Sequence, residues 1–240
     1  MDVWSFKEKD YMCLNFRKDV QFKILNSKNI NYLRLCEKYF EKNDIKIISV
    51  REKNVYPTNL YNIENKPAFL YVRGNIENLY GDNVAVVGSR NASEYGKYVA
   101  RKIGKSLADK HINIVSGLAI GIDKYAHLGA LESQIGKTIA VLGTGVSDEE
   151  IYPYQNKRIF ERILETGGTI ISEYKLNTKP NKDNFPNRNR IISGLSDKII
   201  VVEAGLKSGS LITARYGLEQ GKDIYAVPRK YYIYKFYWNK

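Results

Sequence analysis

The stretch Val84-Ala85-Val86-Val87-Gly88-Ser89-Arg90 decides the fold of this chain. Its first four residues are a short, wholly apolar run rich in β-branched side chains. Such a run is typical of a strand that is buried on both faces of a parallel sheet. The small residues Gly88 and Ser89 follow at once and let the backbone approach closely at a turn. The stretch therefore predicts a buried strand that leads through a tight turn into a helix.

Five further runs have the same character, and amphipathic helices fit between them. The six predicted strands cover residues 84–87, 112–115, 138–142, 169–171, 198–202 and 223–227. The predicted helices begin near Ser93, Asp123, Gln155, Arg190 and Ser208. This alternation predicts an α/β fold, a Rossmann-like doubly wound sheet whose strands are mainly parallel.

Four zones follow one another along the chain. Residues 1–54 are rich in Lys and Asn with helical apolar spacing, which predicts a small N-terminal helical region. Residues 55–81 form a connector in which 68–72 is a candidate strand, and residues 82–228 form the Rossmann-like domain. Residues 229–240 are an aromatic and basic tail, for which an edge strand and a poorly folded end both remain open.

The composition narrows the class of protein. A formal net charge of +12 and a hydrophobic content of 43% indicate a globular chain that favours polyanionic partners. Cys13 and Cys36 have no metal-ligand spacing and exclude a disulfide scaffold. No apolar run approaches the roughly 20 residues of a membrane span, and the N-terminus lacks a secretion signal. We expect no membrane association and a cytoplasmic location.

The turns that follow the predicted strands share small residues, hydroxyls and positive charge. Ligands of doubly wound sheets bind beyond the carboxyl ends of the strands, where helix N-termini favour anions. The segments there are residues 88–90, 116–123, 143–145, 172–173 with 185–190, and 203–213. Arg90, Arg188 and Arg190 bring positive charge to this edge, and Phe185 adds an aromatic face. The set predicts a phosphate-binding rim of the kind that a single-stranded nucleic-acid binder needs.

Candidate catalytic groups lack the partners that catalysis requires. Glu173 and Glu203 could act as general bases, but no nucleophile or metal cluster accompanies them. The Gly-Thr-Gly turn at residues 143–145 lacks the full G-x-G-x-x-G fingerprint of a dinucleotide-binding site. Asp123 and His127 have the i,i+4 spacing of a pair across one helical turn. We therefore predict a protein that is not an enzyme, with no catalytic residue, metal ligand or cofactor.

Taken in order, these segments resemble the DprA/Smf family of bacterial DNA-processing proteins. The matching pieces are residues 56–57, 71–75, 84–90, 116–123 with 127, 136–143, 152–153, 171–173, 185–196, 202–204, 208–214 and 226–228. The resemblance implies an extended Rossmann-like fold without catalysis. It also implies a homodimer that binds single-stranded DNA, protects it, and loads the RecA recombinase during natural transformation.

The resemblance also implies roles for individual residues. Arg90 would contact a DNA phosphate, Phe185 would stack on a base, and Lys182 matches a basic residue that precedes the Phe. The remaining predicted DNA-binding residues are Ser89, Ser116, Gly117, Arg188, Asn189, Arg190, Ser208, Gly209 and Ser210.

The chain departs from the family pattern after Pro228. Arg229 stands where the family has Gly, and the family's continuation, which contributes to its dimer interface, does not follow. We expect a truncation or frame change here, which puts dimerisation and RecA loading in doubt. Two alternatives stay open. One is a nucleotide-binding or phosphoribohydrolase-type protein, for which Glu203 near Gly209 is the nearest substitute for the usual catalytic loop. The other is a truncated, inactive remnant.

Overall fold

The computed structural model describes residues 30–228 of the chain. The chain divides into two compact units, residues 1–44 and residues 45–240. In the first unit the described part is helix α1 (Ile30–Lys42), which ends on a lysine. A cation in the last turn of a helix is favourable because the exposed carbonyl groups there carry partial negative charge.

The second unit is built on one sheet, in which the described residues supply eight strands. They are β1 (Ile45–Ser49), β2 (Phe69–Gly74), β3 (Asn83–Val87), β4 (Asn113–Ser116), β5 (Thr138–Val141), β6 (Thr169–Ser172), β7 (Lys198–Val201) and β8 (Asp223–Ala226). Their order across the sheet is β1-β2-β6-β5-β4-β3-β7-β8. Within the run β6-β5-β4-β3-β7-β8, every pair of neighbouring strands is parallel. The β1–β2 and β2–β6 pairs are antiparallel.

Helices cover both faces of this sheet. They are α2 (Thr58–Tyr61), α3 (Glu94–Ala108), α4 (Ile122–Ala130), α5 (Lys157–Glu165), α6 (Asn184–Leu195) and α7 (Ser210–Glu219). Successive side chains of β3 point to opposite faces of the sheet. Val84 and Val86 pack in the same layer as α3 and α4, whereas Ala85 and Val87 pack in the same layer as α6. The predicted α/β class and Rossmann-like sheet are confirmed.

The six strands predicted from the sequence are present within one or two residues of the predicted bounds. Ser93 caps α3 as predicted, since its Oγ accepts the N–H of Gly96 at 3.1 Å. The helix predicted from Arg190 begins six residues earlier, at Asn184. Pro186 lies in its first turn, where a missing N–H costs no intrahelical hydrogen bond. The 185–190 segment is therefore helical rather than a loop.

The sheet also includes residues that lie outside the predicted Rossmann-like domain. Strand β1 lies within residues 1–54, for which we expected helix, and this part of that expectation is wrong. Ile45 and Ile48 are buried in β1, a short apolar run that its Lys-rich surroundings conceal. The connector supplies β2, which confirms the candidate strand at 68–72. The tail at 229–240 lies outside the described residues.

The direction of winding reverses between β3 and β7. Strands β4, β5 and β6 follow β3 on one side, and β7 and β8 lie on its other side. The turns after β3 and β7 consequently diverge to opposite faces and leave a crevice between them. This switch point positions the candidate site.

Helices α3 and α4 pack backbone against backbone on their face of the sheet. A Cβ atom on Gly129 of α4 would overlap the carbonyl oxygen of Arg101 in α3, and one on Gly104 would overlap the carbonyl oxygen of Ala126. Because backbone cannot retreat as a flexible side chain can, both glycines are required by this close approach. The contact holds α4 against α3, and with it the turn that precedes α4.

We expect Gly129→Ala to lower the free energy of unfolding by about 1–3 kcal/mol, because the added methyl group forces the two helices apart. Urea denaturation followed by circular dichroism measures this. Lys102→Ala, at an exposed position of α3, is the matched control and should change stability by less than about 0.5 kcal/mol. Equal stability of the two variants would contradict the packing argument.

Candidate nucleic-acid interface

A cavity of about 750 Å³ opens at the carboxyl edge of the sheet, at the switch point. Its wall is formed by the turns after β3 and β4, the segment that leads into α6 and part of α6 itself, the segment that leads into α7 with the start of that helix, and Tyr152. The charged side chains among its lining residues are Arg90, Asp123, Lys182, Arg188 and Lys207. Four of these five are cationic, so the described wall favours an anionic ligand.

Helix α6 turns one side toward this cavity. Phe185, Arg188, Asn189 and Ile192 all line it. Their spacing of i, i+3, i+4 and i+7 places them on one face of a helix with 3.6 residues per turn. The sequence alone predicts a loop here and does not reveal this helical face.

Phe185 lies half-buried at the side of the cavity with a cation near its ring. The centroid of its ring is 5.4 Å from that of Tyr152, with the two planes inclined at 39°. The guanidinium carbon of the exposed Arg90 lies 5.6 Å from the Phe185 ring centroid. Gly143 leaves room for the ring, because a Cβ there would lie 2.7 Å from the Phe185 Cδ1. The structure thus brings Arg90 and Phe185 together, as predicted.

Arg188 is buried beneath the cavity, with only 3% of the residue exposed. Its Nη1 donates to the carbonyl oxygen of Gly117 at 2.9 Å and to that of Val141. Burial lowers the pKa of Arg188 to about 10, with the Asp123 carboxylate opposing the shift. The guanidinium therefore stays charged near neutral pH and connects α6 to the ends of β4 and β5.

The turn after β4 is held by side chains of the helix that follows it. Asp123 accepts the N–H of Gly117 at 3.0 Å, and the His127 Nε2 accepts that of Leu118 at 3.3 Å. Leu118 adopts a left-handed conformation with φ of 56°, which a leucine takes only when its surroundings impose it. Asp123 and His127 were expected to pair with each other, but each binds a separate backbone group.

Five of the other predicted site residues line the cavity. They are Ser89, Lys182, Ser208, Gly209 and Ser210. The Ser208 and Ser210 hydroxyls lie 2.7 Å apart at the start of α7, where backbone N–H groups lack intrahelical partners. Asn189 also lines the cavity, and its Nδ2 donates to the Gly209 carbonyl oxygen at 3.1 Å. Asn189 thus holds the segment before α7 in place.

The structure uses Ser116 inside the sheet rather than at the cavity. Ser116 is fully buried, and its hydroxyl donates to the Val86 carbonyl oxygen at 2.7 Å. Gly117 is buried as well and lies against Arg188, where any side chain would meet the guanidinium. Neither residue is among those that line the cavity. Their place in the fold is structural.

Arg190 also lies away from the cavity. It follows Arg188 by two residues, a rotation of about 200° around the helix. Its Nη1 and Nη2 donate to the Glu173 carboxylate at 2.7 and 2.6 Å, and its Nε donates to the Asn65 carbonyl oxygen at 2.8 Å. The prediction of three arginines at one rim is therefore wrong for Arg190, which instead fixes α6 to neighbouring segments.

Both glutamates considered as general bases have structural partners. Glu173 holds Arg190, and Glu203 accepts hydrogen bonds from the Ser93 N–H at 3.0 Å and its hydroxyl at 2.8 Å. Within residues 30–228, no group of three His, Cys, Asp or Glu side chains is arranged to hold a metal ion. None of the described helices is long and apolar enough to cross a membrane.

The wall also contains side chains that the sequence does not single out as DNA-binding. Asn91, Tyr152 and Lys207 are among them. Asn91 and Lys207 adjoin predicted site residues in the turns after β3 and β7, so the sequence carried a signal for them. Tyr152 is far from Phe185 along the chain, and only folding brings the two rings together.

This fold and cavity define a class: a Rossmann-like protein whose switch-point cleft offers an aromatic ring and cations to an anionic ligand. The family model for DNA recombination-mediator protein A matches residues 46–235, and the chain belongs to this family. The resemblance to the DprA/Smf family is thereby confirmed.

The relatives agree with this assignment. Protein Smf of Escherichia coli (strain K12) is 45% identical over 177 residues, which cover 74% of this chain and 46% of Smf. DNA processing protein DprA of Streptococcus pneumoniae is 41% identical over 200 residues, covering 80% of this chain and 69% of DprA. The chain spans about half the length of the first curated relatives it matches.

Two solved structures share the fold. DNA processing protein A of Streptococcus pneumoniae superposes with a TM-score of 0.80 at 36% identity, covering 95% of this chain and 78% of that one. DNA processing protein A of Helicobacter pylori superposes with a TM-score of 0.69 at 29% identity, covering 78% and 81%. The latter structure is described as giving insights into a unique single-stranded DNA binding mode of that protein.

We expect the stability of the protein to fall by about 2 kcal/mol between pH 7 and pH 5 through His127 alone. Burial lowers the pKa of His127 from 6.5 to about 3, so the folded protein keeps the imidazole neutral while the unfolded chain protonates it below pH 6.5. Urea denaturation at the two pH values measures the loss. His127→Gln should flatten this dependence, and an unchanged slope in that variant would refute the assignment.

Proposed function

We propose that the cavity binds single-stranded DNA without sequence preference. The observation that carries this proposal is the pairing of Phe185 with Arg90, a half-buried ring with an exposed guanidinium 5.6 Å from its centroid. A base stacks on the ring, and the adjacent phosphate binds the guanidinium. The reported single-stranded DNA binding mode of the Helicobacter pylori relative supports the proposal.

The charges of the wall suit a phosphate backbone. Lys182 and Lys207 are exposed cations at the cavity, and the start of α7 presents Ser208 and Ser210. Asp123 is the acidic side chain among the lining residues, and its carboxylate is bonded to the Gly117 N–H. Contacts to phosphates carry no sequence information, so affinity depends on salt rather than on sequence.

The aromatic contact selects single strands. A base can lie on Phe185 only when one of its faces is free, and a duplex keeps the faces of its bases covered by their neighbours. Binding needs no catalytic group, in keeping with the structural engagement of Glu173 and Glu203.

We expect Arg90→Ala to weaken oligo-dT binding about tenfold and to reduce the slope of log affinity against log salt by about 1, because one phosphate contact is lost. Phe185→Ala should weaken binding about five- to 150-fold with little change in salt slope, because stacking on an aromatic ring is worth about 1–3 kcal/mol per base. Fluorescence anisotropy of labelled oligo-dT, titrated against salt and competed with duplex, measures both effects.

Arg158→Ala is the matched control, since Arg158 is an exposed arginine of α5 that is paired with Glu161 and Glu165 rather than placed at the cavity. It should bind oligo-dT like the parent chain. Parent-like binding by both Arg90→Ala and Phe185→Ala would place the DNA site elsewhere.

We also propose that the chain hands the bound strand to the RecA recombinase in the cytoplasm, which the mediator role in the family's name supports. Assembly of RecA filaments on single-stranded DNA covered by a single-strand binding protein tests this step. The chain should accelerate assembly, and Arg90→Ala should not. A chain that binds DNA without accelerating assembly would retain only the binding function and would point to the inactive-remnant alternative.

A further inference from the structure

Tyr152, which lines the cavity, and Tyr154, two residues later in the chain, both have large exposed rings. Tyr152 is 45% exposed and Tyr154 is 71% exposed, in the segment that leads into α5. The Lys157 Nζ lies 5.8 Å from the centroid of the Tyr154 ring. A ring and a cation together repeat the pairing of Phe185 with Arg90 a short distance away.

Tyr152 connects this second pair to the cavity. Its ring is inclined at 39° to that of Phe185, so the two rings meet at an angle and Tyr152 keeps much of its own surface exposed. Tyr154 follows Tyr152 by two residues, and two residues of chain span at most about 7 Å. The backbone of Tyr154 therefore lies close to the pair of rings that Tyr152 forms with Phe185.

A path from the cavity to these tyrosines runs across the carboxyl edge of the sheet. The cavity begins at the turns after β7 and β3, and Phe185 reaches the end of β5, where it packs against Gly143. Strands β7, β3, β4 and β5 are neighbours in that order. With strands about 4.8 Å apart, the distance covered is about 14 Å before Tyr152 and Tyr154 are reached. A path of this length accommodates more than one nucleotide.

We propose that Tyr152, Tyr154 and Lys157 form an outer binding site for single-stranded DNA, which receives the nucleotides that follow the one bound at Phe185. Bases stack on the two tyrosine rings, and the Lys157 ammonium binds the phosphate between them. This inference rests on the proposed function, because it extends the path of the same strand.

The acidic turn at Asp148–Glu150 limits the strength of this outer site. It precedes Tyr152 by two residues, and its charge disfavours phosphates on that side. Asp148 is neutralised in part by Arg73, whose Nη1 lies 2.7 Å from the carboxylate. We therefore expect Lys157 to make the phosphate contact. We also expect each stacked base to contribute binding free energy at the low end of the range for aromatic stacking.

Oligo-dT of graded length, from about 3 to about 12 nucleotides, tests the outer site by fluorescence anisotropy. Tyr154→Ala should leave the affinity for the shortest oligonucleotides unchanged and weaken the longest about three- to tenfold. Tyr154→Phe should bind like the parent chain, because it keeps the ring. Lys157→Ala should reduce the salt slope for long oligonucleotides only. Tyr98→Ala, which removes an exposed tyrosine of α3, is the matched control.

The outcomes separate this inference from the proposed function. Equal losses for short and long oligonucleotides in Tyr154→Ala would contradict an outer site, as would no loss at any length. Absence of oligo-dT binding by the parent chain would overturn the proposed function itself. Binding by the parent that is lost in Phe185→Ala but kept at all lengths in Tyr154→Ala would leave the proposed function intact and overturn the outer site alone.

Discussion

The buried guanidinium of Arg188 is the interaction on which the rest of the site depends. It connects α6 to the carbonyl groups of Gly117 and Val141 at the ends of two neighbouring strands. A charge taken out of water costs several kcal/mol unless partners replace the lost hydration, and the two carbonyl groups with the nearby Asp123 carboxylate supply that replacement here. Because the contact determines how α6 is rotated, it also determines that Phe185 faces the cavity and Arg190 faces Glu173.

The position of Arg188 itself depends on the loop that follows β4. Gly117 has no side chain to displace the guanidinium, and Leu118 is kept in its left-handed conformation by hydrogen bonds to His127 and Asn156. His127 belongs to α4, which Gly129 allows to pack closely on α3. A contact between two helix backbones on one face of the sheet thus contributes to the geometry of a cavity at its edge.

The sequence predicts the sheet well because parallel strands buried on both faces appear as continuous β-branched runs. It also predicts which turns meet at the switch point, since parallel topology brings them to one edge, and most lining residues follow from this. It does not show that residues 185–190 are helical, because Pro186 and two asparagines are typical of a loop. A sequence interpreted as a loop gives no reason to expect Arg188 beneath the cavity and Arg190 away from it. The helix does, because it points the two side chains in different directions. The burial of Ser116 is hidden for a similar reason, since a serine at the end of a strand can bond inside the sheet or face a ligand.

The cations of the site lie at two depths, and this separation has consequences for how a strand would be held. Arg188 is buried, and its Nη1 donates to backbone carbonyl groups, so its charge acts on the cavity from beneath. Arg90, Lys182 and Lys207 are exposed, so at physiological ionic strength salt screens their interactions with charges more than about 8 Å away. Under the proposed function, their contacts to phosphates would be individually weak and exchange quickly. Affinity then arises from several such contacts and stacked bases together, which can be released one after another. Under the proposed function, that is the behaviour required of a protein that must give its strand up to a recombinase.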